Sequence, residues 1–316
     1  MRDFIVRRVL ISLLVVFMVS VFVFSIMHML PGEPVRLAMG YEAAEEDVQR
    51  VREELNLTKP LVEQYFLWIK GLFQGDFGIS IVFHRTVADL LKERLPRTVT
   101  LGVPAMIIAV IVGVGFGIIS ASKRGKWLDQ VITLIATLGI GTPQFWLGIV
   151  GIYIFAVGLK LLPMQGYTAP SVDFPMFLKK AIMPVFCMSV VMLASLTRQT
   201  RSNMLEVINQ DYIRTARANG IPERSVIFRH ALKNALIPVI TIIGMQVRVV
   251  VGGSLLVEQV FSIAGIGTMM THAISNRDYF VVQSCVLIIS LFTVLSNLIV
   301  DILYGFIDPR IREAWR

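Results

Sequence analysis

Residues 9–30 run for 22 positions without an Asp, Glu, Lys or Arg. As a helix that run is about 33 Å long, enough to cross a hydrocarbon core of about 30 Å. Five further apolar runs lie near residues 101–122, 131–159, 181–196, 236–256 and 281–304. Soluble domains carry roughly 25% charged residues. Here only 16% of the 316 residues are charged and 55% are hydrophobic, with a mean hydropathy of +0.70. The fold class is therefore an all-α polytopic membrane protein with six transmembrane helices.

The first run follows Arg2, Arg7 and Arg8, as a secretory signal would, but signal h-regions are only about 7–15 residues long. This run is longer and ends in "HMLPGEP" without a small-x-small cleavage pattern, so it reads as a retained span. Cys187 and Cys285 both fall inside apolar runs and outside any ligand spacing, which makes them buried thiols.

Lys and Arg in short loops set orientation by staying on the cytoplasmic side. With six spans, the N-terminal tail, residues 123–130, residues 197–235 and the C-terminal tail share one side and hold 16 Lys and Arg. The opposite connections hold 13, nine of them in the long segment 31–99 beside eleven carboxylates. Both termini are expected in the cytoplasm. The net charge of +8 then reflects topology and attraction to anionic lipid. Because the basic residues are parcelled among membrane-flanking loops, a nucleic-acid partner is not expected.

The chain divides into a tail and first span (1–30), an external segment (31–99), a core of five spans (100–305) and a cytoplasmic tail (306–316). In the external segment, "EEDVQRVREELNL" spaces Val48, Val51, Leu55 and Leu57 as an amphipathic helix does. "PLVEQYFLWIKGLF" predicts a second helix, aromatic enough to lie in the membrane interface, and "GDFGIS" predicts a turn. Gly113 and Gly117 form a small-xxx-small pair suited to close helix packing. Pro143 predicts a bend or break in the third span.

Catalytic patterns are missing from the sequence. His28, His84, His230 and His272 stand far apart, no serine lies in a G-x-S-x-G elbow, and no G-x-x-x-x-G-K-[ST] loop occurs. No catalytic, metal or cofactor site is assigned. Arg248 is the one ionisable residue that stands out, twelve residues into the fifth run. A cation at mid-membrane costs at least about 2.5–3.5 kcal/mol unless solvated or paired. Asp301 and Glu258 both look too distant to pair with it. Arg248 either pairs with a carboxylate on another subunit or with backbone carbonyls, or lines a translocation path and meets an anionic group of a cargo.

The densest cationic stretch is "RTARANGIPERSVIFRHALKN", between the fourth and fifth spans. Upstream, Met204, Leu205, Ile208, Tyr212, Thr215 and Ala216 share one helical face. Gly220 suits a left-handed C′ position and Pro222 the start of a following helix. The prediction is two short helices meeting at a Gly-Pro corner, held at the membrane surface from both ends. Snorkelling arginines account for part of the charge, but a structured loop of this length implies a partner.

This stretch resembles the cytoplasmic loop of ABC-importer permeases, in which E-A-A-x-x-x-G is followed by I-x-L-P. Here "RTA" (214–216), "RAN" and Gly220 occupy the first part and "HALK" (230–233) the second. "DYIRTARANG" with "HALKNALIP" is similar to the version in dipeptide/oligopeptide/nickel permeases. The resemblance spans nearly the whole chain, through "LPGEP" (30–34), "GDFGIS" (75–80), "ERLPRTVTL" (93–101), "FWLG" (145–148), "MLEVINQDY" (204–212), "EQVFSIAGIG" (258–267) and "DPRIR" (308–312). Its N-terminal part is similar to the first of the two permease subunits. Ala264 stands where the family usually has Pro, which is expected to loosen an external turn. Arg248 replaces a small or apolar residue.

The resemblance implies a type I ABC-importer transmembrane domain in a bacterial or archaeal cytoplasmic membrane. It implies a second homologous permease, two ATPases holding Mg-ATP, a solute-binding protein outside, and no cofactor on this chain. The loop at about 197–235 becomes the coupling element. Arg214, Ala216, Arg217, Ala218, Gly220, Pro222, Glu223, Arg224 and Arg229 are its expected ATPase contacts, and Ala216 and Ala218 are small enough for close approach. Di- or oligopeptides are the implied cargo, with nickel or another small solute as the alternative. A membrane enzyme or scaffold is the competing class, and co-purifying ATPases distinguish the two.

Overall fold

The computed structural model describes residues 2–29, 34–40, 42–252 and 254–307. Helix α1 (Arg2–Met29) is followed by three short helices, α2 (Pro34–Met39), α3 (Glu45–Glu54) and α4 (Leu61–Phe73). A two-residue antiparallel ladder, β1 (Ile79–Ser80) on β2 (Arg85–Thr86), leads into the long α5 (Val87–Ser122). Next come α6 (Trp127–Gly141) and α7 (Gln144–Gly151), the latter continuing as a π-helical segment, Ile152–Gly158. Then α8 (Phe174–Ile208), α9 (Asp211–Ala218) and α10 (Glu223–Ser225) lead through a π-turn, Val226–Ala231, into α11 (Leu232–Gly252). Two short helices, α12 (Leu255–Val260) and α13 (Ile266–Ser275), precede α14 (Tyr279–Ile307).

Among the described residues, five helices are long and apolar enough to cross a membrane, and the bent pair 127–158 makes a sixth. The bend is 99°. It falls at Thr142–Pro143, where Pro143 takes an extended conformation ahead of α7, as expected of a residue that clashes with the preceding helical turn. The fourth span is longer than its apolar run, because α8 continues past the membrane-length segment to Ile208. The fifth ends earlier than the run, at Gly252, and residues 255 and 256 belong to α12.

α5 and α8 form the central pair. A Cβ on Gly113 would lie 2.8 Å from the Leu193 carbonyl oxygen, and one on Gly117 would lie 2.9 Å from that of Thr197, so only glycine admits this approach. Leu101, Ala105 and Ala109 of α5, Met188 and Met192 of α8, and Val239 of α11 share the main core. A second core joins α1 (Phe24, Met27), α4 (Trp68), α5 (Leu90), α13 (Met269) and α14 (Val281, Cys285). The N-terminal face of the bundle is tied by Arg8 to Asp301, 2.9 Å apart.

Between α1 and α5, Val48, Leu55 and Leu57 pack with Val35 and Ile81 as their spacing predicts. The stretch expected to be a simple turn is instead part of the small hairpin. Ser80 donates to Asp278 Oδ2 at 2.5 Å, and the Val82 N–H donates to the same oxygen at 3.2 Å. One buried carboxylate before α14 thereby anchors the hairpin, and burial raises its pKa. Residues 30–33 of "LPGEP" and all of "DPRIR" lie outside the described residues.

Candidate functional site

α8 stops at Ile208, and Gln210 turns extended to cap α9. This break re-phases the amphipathic face. Met204 stays buried, but Ile213 and Ala216 are the inward residues of α9, whereas Tyr212 and Thr215 are exposed. Ile213 and Ala216 pack with Ala121 at the end of α5, Met204 of α8, and Val226, Ala231 and Ala235 leading into α11. Tyr212 is held at its hydroxyl, which lies 2.8 Å from Asn234 Nδ2.

The corner closes α9 by a paired hydrogen-bond pattern. The Gly220 N–H donates to the Arg217 carbonyl at 3.0 Å, and the Ile221 N–H donates to that of Ala216 at 3.3 Å. Gly220 sits at φ +75°, the left-handed C′ geometry that this closure requires. A Cβ there would meet nothing within 4 Å, so glycine is needed for its backbone freedom alone. Pro222 is the residue before α10 and not its first helical residue; Glu223 takes that place.

Arg217 and Glu223 bridge the corner by a two-pronged pair at 3.0 and 2.8 Å. The carboxylate holds the Arg217 guanidinium further into its protonated range. A planar fork of this kind fixes geometry as well as adding attraction. Arg214 reaches Asp211 at 3.5 Å, and Ala218, Arg224 and Arg229 are exposed. Ala216 is the exception among the expected contacts. It is buried in its own chain, and its small side chain serves internal packing.

Behind the corner lies a clasp that sequence reasoning missed. Buried Asp129 accepts from Ser120 Oγ at 2.5 Å, from the Gly125 N–H at 2.9 Å, and from Arg201 at 2.7 and 3.0 Å. It locks the end of α5, the start of α6 and the tail of α8 together. The available signal was that Asp129 is the one carboxylate in the otherwise basic stretch 123–130.

Arg248 lies four residues before the end of α11; its side chain is outside the described residues. Both carboxylates weighed as partners for it are engaged elsewhere. Asp301 pairs with Arg8. Glu258 is buried and accepts from Thr98 Oγ1 (2.8 Å), Ser254 Oγ (2.7 Å) and the Thr268 N–H (2.8 Å). This knot also holds the turn at Ala264. The Ile263 N–H donates to the Glu258 carbonyl at 2.8 Å, and Arg97 donates to the Ala264 carbonyl at 3.3 Å. The turn is therefore tied at Ile263 and at Ala264. Among the described residues no His, Cys, Asp and Glu group could hold a metal ion.

Residues 113–313 match the family described as "Binding-protein-dependent transport system inner membrane component", and residues 1–102 match its N-terminal companion family. The oligopeptide transport system permease protein AppB of Bacillus subtilis is 39% identical over 314 residues, covering 98% of this chain and 99% of AppB. The glutathione transport system permease protein GsiC of Escherichia coli K12 is 40% identical over 312 residues, covering 99% of each. With its apolar helices and these matches, the chain belongs to the binding-protein-dependent transport system inner membrane components, the multi-pass permeases of ABC importers with the type I transmembrane fold.

Proposed function

We propose that this permease is one of two homologous membrane subunits of an importer for di- and oligopeptides, with both termini in the cytoplasm. It forms half of the translocation path and couples to an ATPase at the corner 214–234. Two ATPases supply Mg-ATP hydrolysis, a solute-binding protein delivers cargo from outside, and this chain binds no cofactor. Peptide cargo is supported by the names of the similar permeases, one for oligopeptides and one for the tripeptide glutathione. Measuring which ligands the cognate solute-binding protein retains tests it, and a metal ion in place of a peptide overturns it.

The observation that carries the coupling reading is the construction of the corner. Its exposed side presents Arg214, Ala218, Arg224 and Arg229, which suits an acidic receiving surface. Its buried side packs on Ala121, Met204 and Ala235, the ends of α5, α8 and α11. A push on the corner is delivered to three spans at once, as a rigid-body switch needs. Gly220→Val forces a β-branched residue to φ +75°, a true outlier, without filling occupied space. We expect uptake to fall at least about tenfold while ATP hydrolysis persists, a loss equivalent to about 1.4 kcal/mol of coupling. Gly220→Asn, which tolerates the left-handed region, keeps most uptake. Full transport by the valine variant contradicts the reading.

Arg248 is carried here as a candidate cargo contact. Arg248→Ala is expected to lower uptake of at least one peptide without lowering the amount of inserted protein. Unchanged uptake of every cargo assigns Arg248 to a subunit contact instead.

A further inference from the structure

α4 presents three separate faces. Gln64, Tyr65, Trp68 and Leu72 turn toward the protein. Tyr65 OH lies 2.8 Å from Ser20 Oγ, Gln64 Oε1 lies 3.1 Å from His28 Nε2, and the Trp68 ring stacks 5.8 Å from Phe24. Two of the four aromatic residues that suggested an interfacial helix, Tyr65 and Trp68, are thus spent on α1. Glu63 and Lys70 form a charged edge, with Lys59 3.0 Å from Glu63. The remaining stripe is Val62, Phe66 and Phe73, spaced i, i+4, i+11 on one side of the helix, while Ile69 at its edge packs half-buried against the second core. Val62 is 69% exposed, Phe66 66% and Phe73 90%.

The contacts with α1 fix the depth of that stripe. The apolar span of α1 runs from Ile5 to Met29. Ser20, which Tyr65 reaches, lies about 13 Å before its end at 1.5 Å per residue. A span needs about 20 residues to cross the hydrocarbon. Counted from Arg8, this places the far boundary near His28, so α4 runs beside the last turns of α1 within the leaflet. A groove of about 420 Å³ between the two helices joins Val21, Ser25 and Met29 of α1 to Leu61, Val62 and Phe66 of α4. It is continuous with the outward α1 residues Phe22 and Ile26, which are also exposed.

We propose that α4 is a membrane anchor. Its stripe Val62–Phe66–Phe73 is covered by acyl chains of the leaflet opposite Arg7 and Arg8, and Glu63 and Lys70 reach its headgroups. Lipid is the occupant because the stripe extends, at the same depth, the exposed apolar face of α1, a helix long and apolar enough to cross a membrane. The anchor holds the segment between α1 and α5 against the bilayer, and the second core then fixes α13 and the start of α14 to it.

Spin labels placed singly at residues 62, 63, 66, 70 and 73 test this, in the assembled transporter in lipid nanodiscs. Cys187 and Cys285 are replaced by Ala. Collision rates are measured with oxygen, which partitions into lipid, and with a water-soluble nickel chelate. At positions 62, 66 and 73 oxygen collisions should exceed chelate collisions several-fold, with the ratio reversed at 63 and 70. Chelate-dominated collisions at all five positions place the stripe in water and overturn the proposal. Low rates for both probes at 62, 66 and 73 mean that a protein subunit covers the stripe, which equally overturns it. Neither outcome bears on the coupling corner, which is tested by uptake.

Discussion

Glu258 enters the interior against three neutral donors, and each of them comes from a different place in the fold. Thr98 belongs to α5, Ser254 precedes α12, and Thr268 lies in the first turn of α13. Thr98 Oγ1 also accepts the Ile266 N–H at 2.9 Å, so one hydroxyl relays between α5 and α13. Gly265 and Gly267 are confined by the same carboxylate, because a Cβ on either would meet it. Glu258→Ala leaves those donors buried and unpaired, at about 1–3 kcal/mol for each donor that finds no substitute. We expect a clear drop in the thermal unfolding midpoint of the purified complex. Glu258→Gln keeps an acceptor in place and loses less. Equal midpoints for the two variants contradict this account of the knot. Ser254 and Thr268 lie four and ten residues from Glu258, but Thr98 is 160 residues away, so the sequence offered no means of joining the knot to α5.

At the scale of elements, the α5–α8 contact is legible from two glycines. Gly113 and Gly117 face α8, while Gly115 between them meets nothing within 4 Å. Gly117→Val puts a Cβ within 2.9 Å of the Thr200 side chain and the Thr197 carbonyl. Such overpacking costs about 1–3 kcal/mol. Gly115→Val makes no such clash. Folded yield in the membrane should fall for the first variant and hold for the second, and equal yields contradict the packing. The kink at Pro143 and the helical parts of the external segment were legible for similarly local reasons, ring sterics in one case and side-chain spacing in the other. The stop of α8 at Ile208 was not, because "MLEVINQDYIRTARAN" continues a helical pattern through Asn209 and Gln210. The break shifts the buried face to Ile213 and Ala216. Ala216, on the apolar face in either phase, stays in the core, while Tyr212 and Thr215 leave it and Ile213 enters. The hairpin was missed because it is anchored by Asp278, far along the chain.

At the scale of the whole molecule, the six apolar runs and the charge pattern were enough for a polytopic bundle, since a bilayer leaves a chain few alternatives. The ion pairs that tie the bundle were not readable. Arg8 and Asp301 join its two ends in sequence, and Asp129 with Arg201 joins the start of α6 to α8. Both lie on the N-terminal face, where the corner also packs. The face proposed to receive force is thus cross-braced by charge pairs as well as apolar contacts. The central claim is that this face is driven by an ATPase subunit through residues 214–229. A photo-crosslinking amino acid at Ala218, exposed on α9, tests it most directly in the assembled transporter. The account predicts an adduct between this chain and the ATPase subunit, with its yield changing between nucleotide-free and ATP-bound states. An adduct only with lipid or the partner permease, or labelling of position 218 by a membrane-impermeant reagent added outside the cell, would contradict it.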